Sequence, residues 1–303
     1  MLKFNQFFQL YQTKKDHLEN QIKKAYEYYL NKSTDSKNKE VEILEASYYY
    51  TVQKLKQMDF NIQNGNLKLV QTNNSRVKIV MKSTIWYDKD NWNNAEEYFF
   101  NEAIFDIQDK ILEVKVPTAN IEVDLTVEVP KQVYQNIAIT LKNGNLVTNH
   151  LSADYLFIRI FNGQYHSQND DIKKIDLNVQ NGNIKSEQVK VRQLSISLSN
   201  GHLDYEGVLQ QGRILINNGS IMLQTYKQPS QLICKVNNGD INLTVPSNKD
   251  PMQIEADTKM GQIMVFDQVY NKYETVSSDI QNTSYQLILM TKHGNIVIQR
   301  GDK

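Results

Sequence analysis

The chain has 303 residues, a formal net charge of zero and a hydrophobic content of 40%, and this length allows one elongated domain or two compact ones. The zero net charge argues against a nucleic-acid-binding protein whose affinity rests on phosphate contacts. No run of apolar residues is long enough to span a bilayer as a helix.

The first 32 residues form a segment of their own. Residues 1–15 carry three lysines and no acid, which is typical of a mitochondrial presequence or of a plain amphipathic helix. Apolar residues then recur at three- and four-residue spacing over 14–32, which predicts an amphipathic helix. This helix would cap the next domain, dock onto another subunit or a membrane surface, or be cleaved. A polar linker is predicted at 33–40.

From residue 41 onward the hydrophobic period changes to two, and a short motif recurs in which glycine follows a polar residue and precedes an apolar segment. The steps from Gly144 to Gly261 are 19, 19, 19, 18, 20 and 22 residues. A near-constant period of about 20 residues is typical of stacked repeats. The predicted structural turns are Asn64, Gly65, Asn143, Gly144, Asn162, Gly163, Asn181, Gly182, Asn200, Gly201, Asn218, Gly219, Asn238, Gly239, Gly261 and Gly294.

Two architectures fit this motif. Asn-Gly between alternating strands is a strong hairpin signal, whereas the fixed period favours a stacked fold. The apolar position two residues after the motif glycine varies little, as expected if equivalent residues stack directly on one another, about 4.8 Å apart. We therefore predict an all-β fold, a single-stranded β-solenoid of about 20 residues per coil over 41–300, preceded by the amphipathic helix. The asparagine amides would hydrogen-bond from coil to coil along one corner.

Two segments interrupt the period. Residues 84–109 are predicted to be an insertion, and 267–283 a polar loop. The insertion is aromatic and acidic, with the residue types that dominate protein interfaces, so it would either pack back onto the solenoid or dock a basic partner. The predicted partner contacts are Trp86, Trp92, Phe99 and Phe100.

We find no motif for catalysis, and we predict neither a cofactor nor a metal. The single cysteine, Cys234, lies in an alternating apolar stretch and is predicted to be a buried, inert thiol. His166, His202 and His293 fall near repeat turns but in coils too far apart to share an ion. Polysaccharide-active β-helix enzymes need clustered carboxylates, and the acids nearest the turns, Asp204 and Asp240, have different offsets.

Two passages carry a family resemblance. TVEVPKQVYQNIAITLKNGNLVTNHLSADYLFIRIFNGQYH (126–166) and NLTVPSNKDPMQIEADTKMGQIMV (242–265) share a strand ending in Val-Pro, a loop, an alternating strand and a glycine turn. This phrase resembles the repeat of the putative adhesin family, and the likeness extends over roughly residues 41–300. The resemblance implies a β-solenoid domain and implies no catalytic residues.

Three functions remain open, and the chain is predicted not to be an enzyme. The main prediction is a non-enzymatic scaffold or accessory subunit that makes protein-protein contacts in a larger assembly, in mitochondria or alternatively in the cytoplasm. The first alternative is an adhesin-like module that binds glycans or surfaces, which a ladder of exposed aromatic side chains at one repeat offset would favour. Tyr165, Tyr205 and Tyr226 do not share an offset. The second alternative is a polysaccharide-active enzyme. Partners would be other protein subunits, with no nucleic acid, no transmembrane segment and a peripheral membrane contact only through residues 1–30.

Overall fold

The computed structural model describes residues 39–51, 55–247, 251–270, 276–277 and 285–301. The predicted helix at 1–32 and most of the linker at 33–40 lie outside these residues. Every described strand belongs to one sheet of 23 strands. Within the described part of the chain, one short α-helix interrupts the strands.

The elements follow one another in chain order. The strands before the helix are β1 (Lys39–Tyr50), β2 (Gln57–Asn64), β3 (Leu67–Thr72) and β4 (Val77–Asp88). Helix α1 spans Ala95–Glu102. The next strands are β5 (Ile104–Gln108), β6 (Ile111–Val116), β7 (Ile121–Pro130), β8 (Tyr134–Asn143), β9 (Leu146–Asn149), β10 (Ser152–Asn162), β11 (Tyr165–Gln168) and β12 (Asp171–Asn181). The last are β13 (Ile184–Asn200), β14 (Leu203–Asn218), β15 (Ile221–Thr225), β16 (Gln231–Asn238), β17 (Ile241–Val245), β18 (Gln253–Met260), β19 (Ile263–Val265), β20 (Gln268–Tyr270), β21 (Val276–Ser277), β22 (Gln286–His293) and β23 (Ile296–Arg300).

The strands that end at the nine corner glycines are parallel to one another. In spatial order they are β2, β8, β10, β12, β13, β14, β16, β22 and β18. The sheet closes around the core as a parallel barrel of nine strands, with further strands outside it. Along most of their length buried residues alternate with more exposed ones, because successive side chains of a strand point to opposite faces.

The prediction of a single-stranded β-solenoid is wrong. Strands β1, β4, β5, β20 and β21 pair antiparallel with their neighbours, and the parallel strands do not stack in chain order. Strand β2 pairs directly with β8, so the residues between them add no run of intervening coils. Strand β22 lies between β16 and β18. After a long connection a strand can pair with any of several similar strands, because the entropic cost of closing a loop grows only slowly with loop length.

The hairpin alternative is also wrong at the corners. Strands β8 and β9, on either side of Gly144, pair with other units and not with each other. Gly144 has φ +148°, and its N–H donates to the Asn162 carbonyl oxygen at 2.9 Å. A β-carbon at Gly144 would overlap the Gly65 carbonyl oxygen, so this corner requires glycine.

The predicted apolar ladder behind the corners is confirmed. Its side chains lie in register from one unit to the next, and each exposes 2% of its surface or less. They are Leu67, Leu146, Tyr165, Ile184, Leu203, Ile221, Ile241, Ile296 and Ile263. The column is the most regular part of a single continuous core.

The asparagine ladder is present as well. Asn181 Nδ2 donates to Asn162 Oδ1 at 2.9 Å, and Asn200 Nδ2 donates to Asn181 Oδ1 at 2.8 Å. The same bond repeats from Asn143 to Asn238, and His293 Nδ1 continues it to Asn238 Oδ1 at 2.8 Å. A second ladder runs beside it, in which the side chain after the glycine accepts a backbone N–H of the next unit, as in His202 N–H to Asn183 Oδ1 at 3.0 Å. The corner amides are thus hydrogen-bonded along the stack.

We expect Asn181→Ala to lower the free energy of unfolding by about 1 kcal/mol, because it removes two neutral hydrogen bonds at an exposed corner. Urea denaturation measures this change. Asn178→Ala is the matched control, since Asn178 is exposed on the same strand and outside the ladder. Equal midpoints for the two variants would contradict a stabilising role for the ladder.

Candidate binding groove

A groove lies on the outer surface where β12, β13 and β14 bend. Here each strand breaks its alternation and exposes two consecutive residues, because the strand turns a corner between two buried positions. The exposed pairs are Lys173 and Lys174, Arg192 and Gln193, and Gln210 and Gln211. These six residues line a cavity of about 300 Å³.

The parallel register stacks these side chains in two columns. Lys174, Gln193 and Gln211 are aligned partners across the three strands, so Lys173, Arg192 and Gln210, one residue earlier, form the second column. Neighbouring rungs of a sheet lie about 4.8 Å apart. The groove therefore presents cations at one end and carboxamides at the other.

Each lysine has a carboxylate partner. Lys173 Nζ lies 2.5 Å from Asp154 Oδ1, and Lys174 Nζ lies 3.2 Å from Asp176 Oδ2. These ion pairs are largely exposed, so they add little stability, but they offset the lysine charges. Among the described residues, Arg192 forms no ion pair.

Tyr155 borders the lysine end of the groove. Its hydroxyl donates to Asp176 Oδ2 at 2.7 Å, and Lys174 Nζ lies 5.0 Å from the centre of its ring. The hydrogen bond to the Asp176 carboxylate, followed by desolvation, raises the pKa of Tyr155 to about 12. The phenol is therefore a neutral group at physiological pH.

Sequence reasoning missed this groove, although a signal was present. The segments IKKI, VRQL and LQQG each place two polar residues between two buried positions, at steps of 19 and 18 residues. A strict alternation predicts one of each pair to point inward. Two consecutive exposed residues at a near-constant offset thus mark a bend in each of these three strands.

A second polar cluster is buried. The Asp170 carboxylate accepts the Leu151 N–H at 2.7 Å, the Ser167 hydroxyl at 2.6 Å and the Thr148 hydroxyl at 2.5 Å. Tyr165 lies against this group, with its hydroxyl 3.1 Å from Thr148 Oγ1. Burial is the largest effect on Asp170 and raises the pKa of its carboxyl. Only 1% of the Asp170 surface is exposed, so its carboxylate has a structural role and holds the neighbouring segments together by hydrogen bonds.

The predicted partner contacts do not form one exposed surface. Phe99 on α1 is fully buried, and Trp92 and Phe100 pack partly buried against the same core. The Trp92 ring meets Tyr98 edge to face at 5.4 Å between centroids. Trp86 lies near the end of β4 and donates its backbone N–H to the Asn120 carbonyl oxygen at 2.9 Å.

The predicted structural turns lie together along one corner of the sheet. Each of the nine glycines has a positive φ, between 127° and 157°. Gly294 lies between Gly239 and Gly261 rather than after them, which follows from the position of β22.

The residues that the sequence analysis considered for metal binding, thiol chemistry or an aromatic binding face lie apart in the structure. Within the described ranges, no three His, Cys, Asp or Glu side chains are grouped to hold a metal. Cys234 is buried, and burial raises the pKa of its thiol. His166 Nε2 lies 2.8 Å from Glu187 Oε2, whereas His202 and His293 contribute to the corner ladders. Tyr165 and Tyr205 are buried and Tyr226 is exposed, so the three do not form an aromatic face.

The model of the family described as Toastrack DUF4097 matches residues 33–299. This match covers most of the chain, and the protein therefore belongs to that family. The resemblance seen in the sequence is thereby confirmed at the level of an adhesin-like family.

Three solved structures are similar, each over most of its length. A putative adhesin from Bacteroides fragilis is 13% identical, with 86% of this chain and 97% of that chain covered and a TM-score of 0.49. A putative adhesin from Parabacteroides merdae is 14% identical, with 85% and 96% covered and a TM-score of 0.49. A putative lipid binding protein from Parabacteroides distasonis is 12% identical, with 85% and 97% covered and the same TM-score.

No helix in the described part of the chain combines the length and the apolar character needed to cross a bilayer.

Proposed function

We propose that this protein is a non-catalytic, adhesin-like binding module that holds a hydroxyl-rich ligand, of the kind a surface glycan presents, across β12, β13 and β14. The observation that carries this proposal is the set of three exposed residue pairs that stack in register and line one cavity. A scaffold role has less support, because Phe99 lies in the core and Trp92 and Phe100 pack against it. The mitochondrial location stays a prediction.

The chemistry of the groove supports this choice. A carboxamide both donates and accepts hydrogen bonds, as does a sugar hydroxyl, so Gln193, Gln210 and Gln211 match a glycan in either orientation. The parallel strands fix the spacing of these side chains before a ligand arrives. Such pre-organisation reduces the ordering cost of binding.

The double variant Gln210→Ala/Gln211→Ala is expected to weaken glycan binding roughly tenfold, since two hydrogen-bonding groups are lost. Immobilised wild-type protein and variants would be titrated with a panel of neutral and acidic polysaccharides. The matched control is Ser195→Ala/Ser197→Ala, which changes two exposed residues on the outer face of β13 beyond the groove. Thermal melting would verify that each variant is folded.

Two results would contradict the proposal. The first is that the wild type binds no polysaccharide of the panel. The second is that the double variant at Gln210 and Gln211 binds as tightly as the Ser195→Ala/Ser197→Ala control. In the second case the ligand site would lie on another surface.

A further inference from the structure

One cationic side chain of the groove, Arg192, has no carboxylate partner among the described residues. The carboxylates of Asp154 and Asp176 lie against Lys173 and Lys174. Arg192 stands between these lysines and the glutamines, is exposed, and makes no ion pair with the described residues. The groove therefore combines one unopposed guanidinium with three carboxamides.

A guanidinium recognises a particular shape of anion. Its planar fork of N–H donors matches the two oxygens of a carboxylate, or two oxygens of a sulfate, in a bidentate contact. Gln193 follows Arg192 on the same strand. Val191 pairs with Leu209 and Gln193 with Gln211, which places Gln210 beside Arg192 on the next strand. An anion on Arg192 would thus have hydrogen-bonding amides beside it on two sides.

We propose that the ligand is an acidic glycan whose carboxylate or sulfate binds Arg192 while neighbouring hydroxyls bind Gln193, Gln210 and Gln211. This inference rests on the proposed function and adds the charge class of the ligand. A nucleic acid fits less well, because phosphate-dominated binding needs many cations and single strands are held by stacked aromatic side chains. The groove offers one unopposed cation, and Tyr155, beside it, already has Lys174 against its ring.

The test compares matched polymers. Dissociation constants would be measured for a linear polyuronate, for the same polymer after its carboxyl groups are reduced to primary alcohols, for a sulfated polysaccharide, and for anionic phospholipid vesicles. We expect the polyuronate or the sulfated polymer to bind at least about tenfold more tightly than the reduced polymer, because a charged hydrogen bond is lost on reduction. Added salt should weaken binding of the acidic polymers, since the site is exposed.

Variants at Arg192 test whether its guanidinium binds the anionic group of the ligand. Arg192→Gln should weaken binding of the acidic polymer roughly tenfold to a hundredfold and leave the reduced polymer unaffected. Arg192→Lys should recover part of the loss, because it restores the charge without the planar fork. Ser197→Ala is the control, and melting temperatures would establish that all variants are folded.

The remaining outcomes would overturn either the acidic-glycan assignment alone or the proposed function as well. Equal binding of the polyuronate and its reduced form, with no preference for the sulfated polymer, would overturn the acidic-glycan assignment and leave the proposed function standing. Wild-type affinity in Arg192→Gln would do the same. Binding to phospholipid vesicles without binding to any polysaccharide, or no binding at all, would overturn both.

Discussion

Replacing Gly201 by alanine should lower the free energy of unfolding by more than about 4 kcal/mol or prevent folding altogether. Gly201 has φ +145°, where a side chain is strained, and a β-carbon there would overlap the Gly182 carbonyl oxygen. That oxygen belongs to the backbone of the neighbouring unit, which is itself held in register. The overlap can therefore be relieved only by separating two rungs.

The measurement is urea denaturation followed by circular dichroism, with soluble yield recorded for variants that do not fold. Gly201→Val should be at least as damaging as alanine. Gly301→Ala is the control, because the nearest atoms to its added β-carbon lie 3.2 and 3.6 Å away. Wild-type stability in the Gly201 variants would show that this corner does not need glycine.

Replacing Asp170 by alanine should cost roughly 3 to 5 kcal/mol, because several buried donors lose their acceptor at once and each unsatisfied group costs about 1 to 3 kcal/mol. The donors are the Leu151 N–H and the hydroxyls of Thr148 and Ser167. Asp170→Asn should cost much less, since an amide keeps an acceptor and occupies the same space. Asp204→Ala, on an exposed residue, should change stability by about 0.5 kcal/mol or less.

The Asp170 pair of variants also predicts a dependence on pH. The pKa of the Asp170 carboxyl is raised in the folded protein by burial, so the protonated form is favoured there relative to the unfolded chain. Its contribution to stability is fully present below the ordinary pKa of an aspartate and is lost as pH rises through the folded value. The difference in unfolding free energy between wild type and Asp170→Asn should therefore fall with rising pH. A difference that stays constant would contradict the raised pKa.

The corner motif was predictable because its causes are local. Glycine allows the positive φ of the corner, and a period of two fixes which residues face inward. The spacing of 18 to 20 residues then determines that Leu146 lies beside Tyr165 and Ile184 beside Leu203. Wherever the connection is that short, the sequence predicts both the neighbour and the register.

The order of the units was not predictable in the same way. Gly65 and Gly144 are neighbours although the chain between them is long, and Gly294 lies between Gly239 and Gly261. Several strands share the same pattern of apolar residues, so pattern alone does not distinguish their partners. The antiparallel strands β4, β5, β20 and β21 pair with β7, β6, β19 and β18, and the repeat period predicts none of these pairings.

The groove could not be predicted from the sequence, because it depends on the bend that each of β12, β13 and β14 makes between two buried positions. The polar pair at 173–174 is visible in the sequence, but only the fold shows that both side chains point outward and that Arg192 and Gln210 follow on the next rungs. The distances from Lys173 to Asp154 and from Lys174 to Asp176 leave Arg192 as the unopposed charge. Such a balance depends on side-chain positions, which hydrophobic periodicity does not encode.

By itself, the sequence determined the all-β class, the glycine corners and the apolar column behind them, because each depends on residues close together in the chain. Only the tertiary structure decided which strands became neighbours, where the sheet closed and which polar side chains met at its surface. The physical reason is that these outcomes depend on competition between similar strands across long connections, where local conformational preferences are equal.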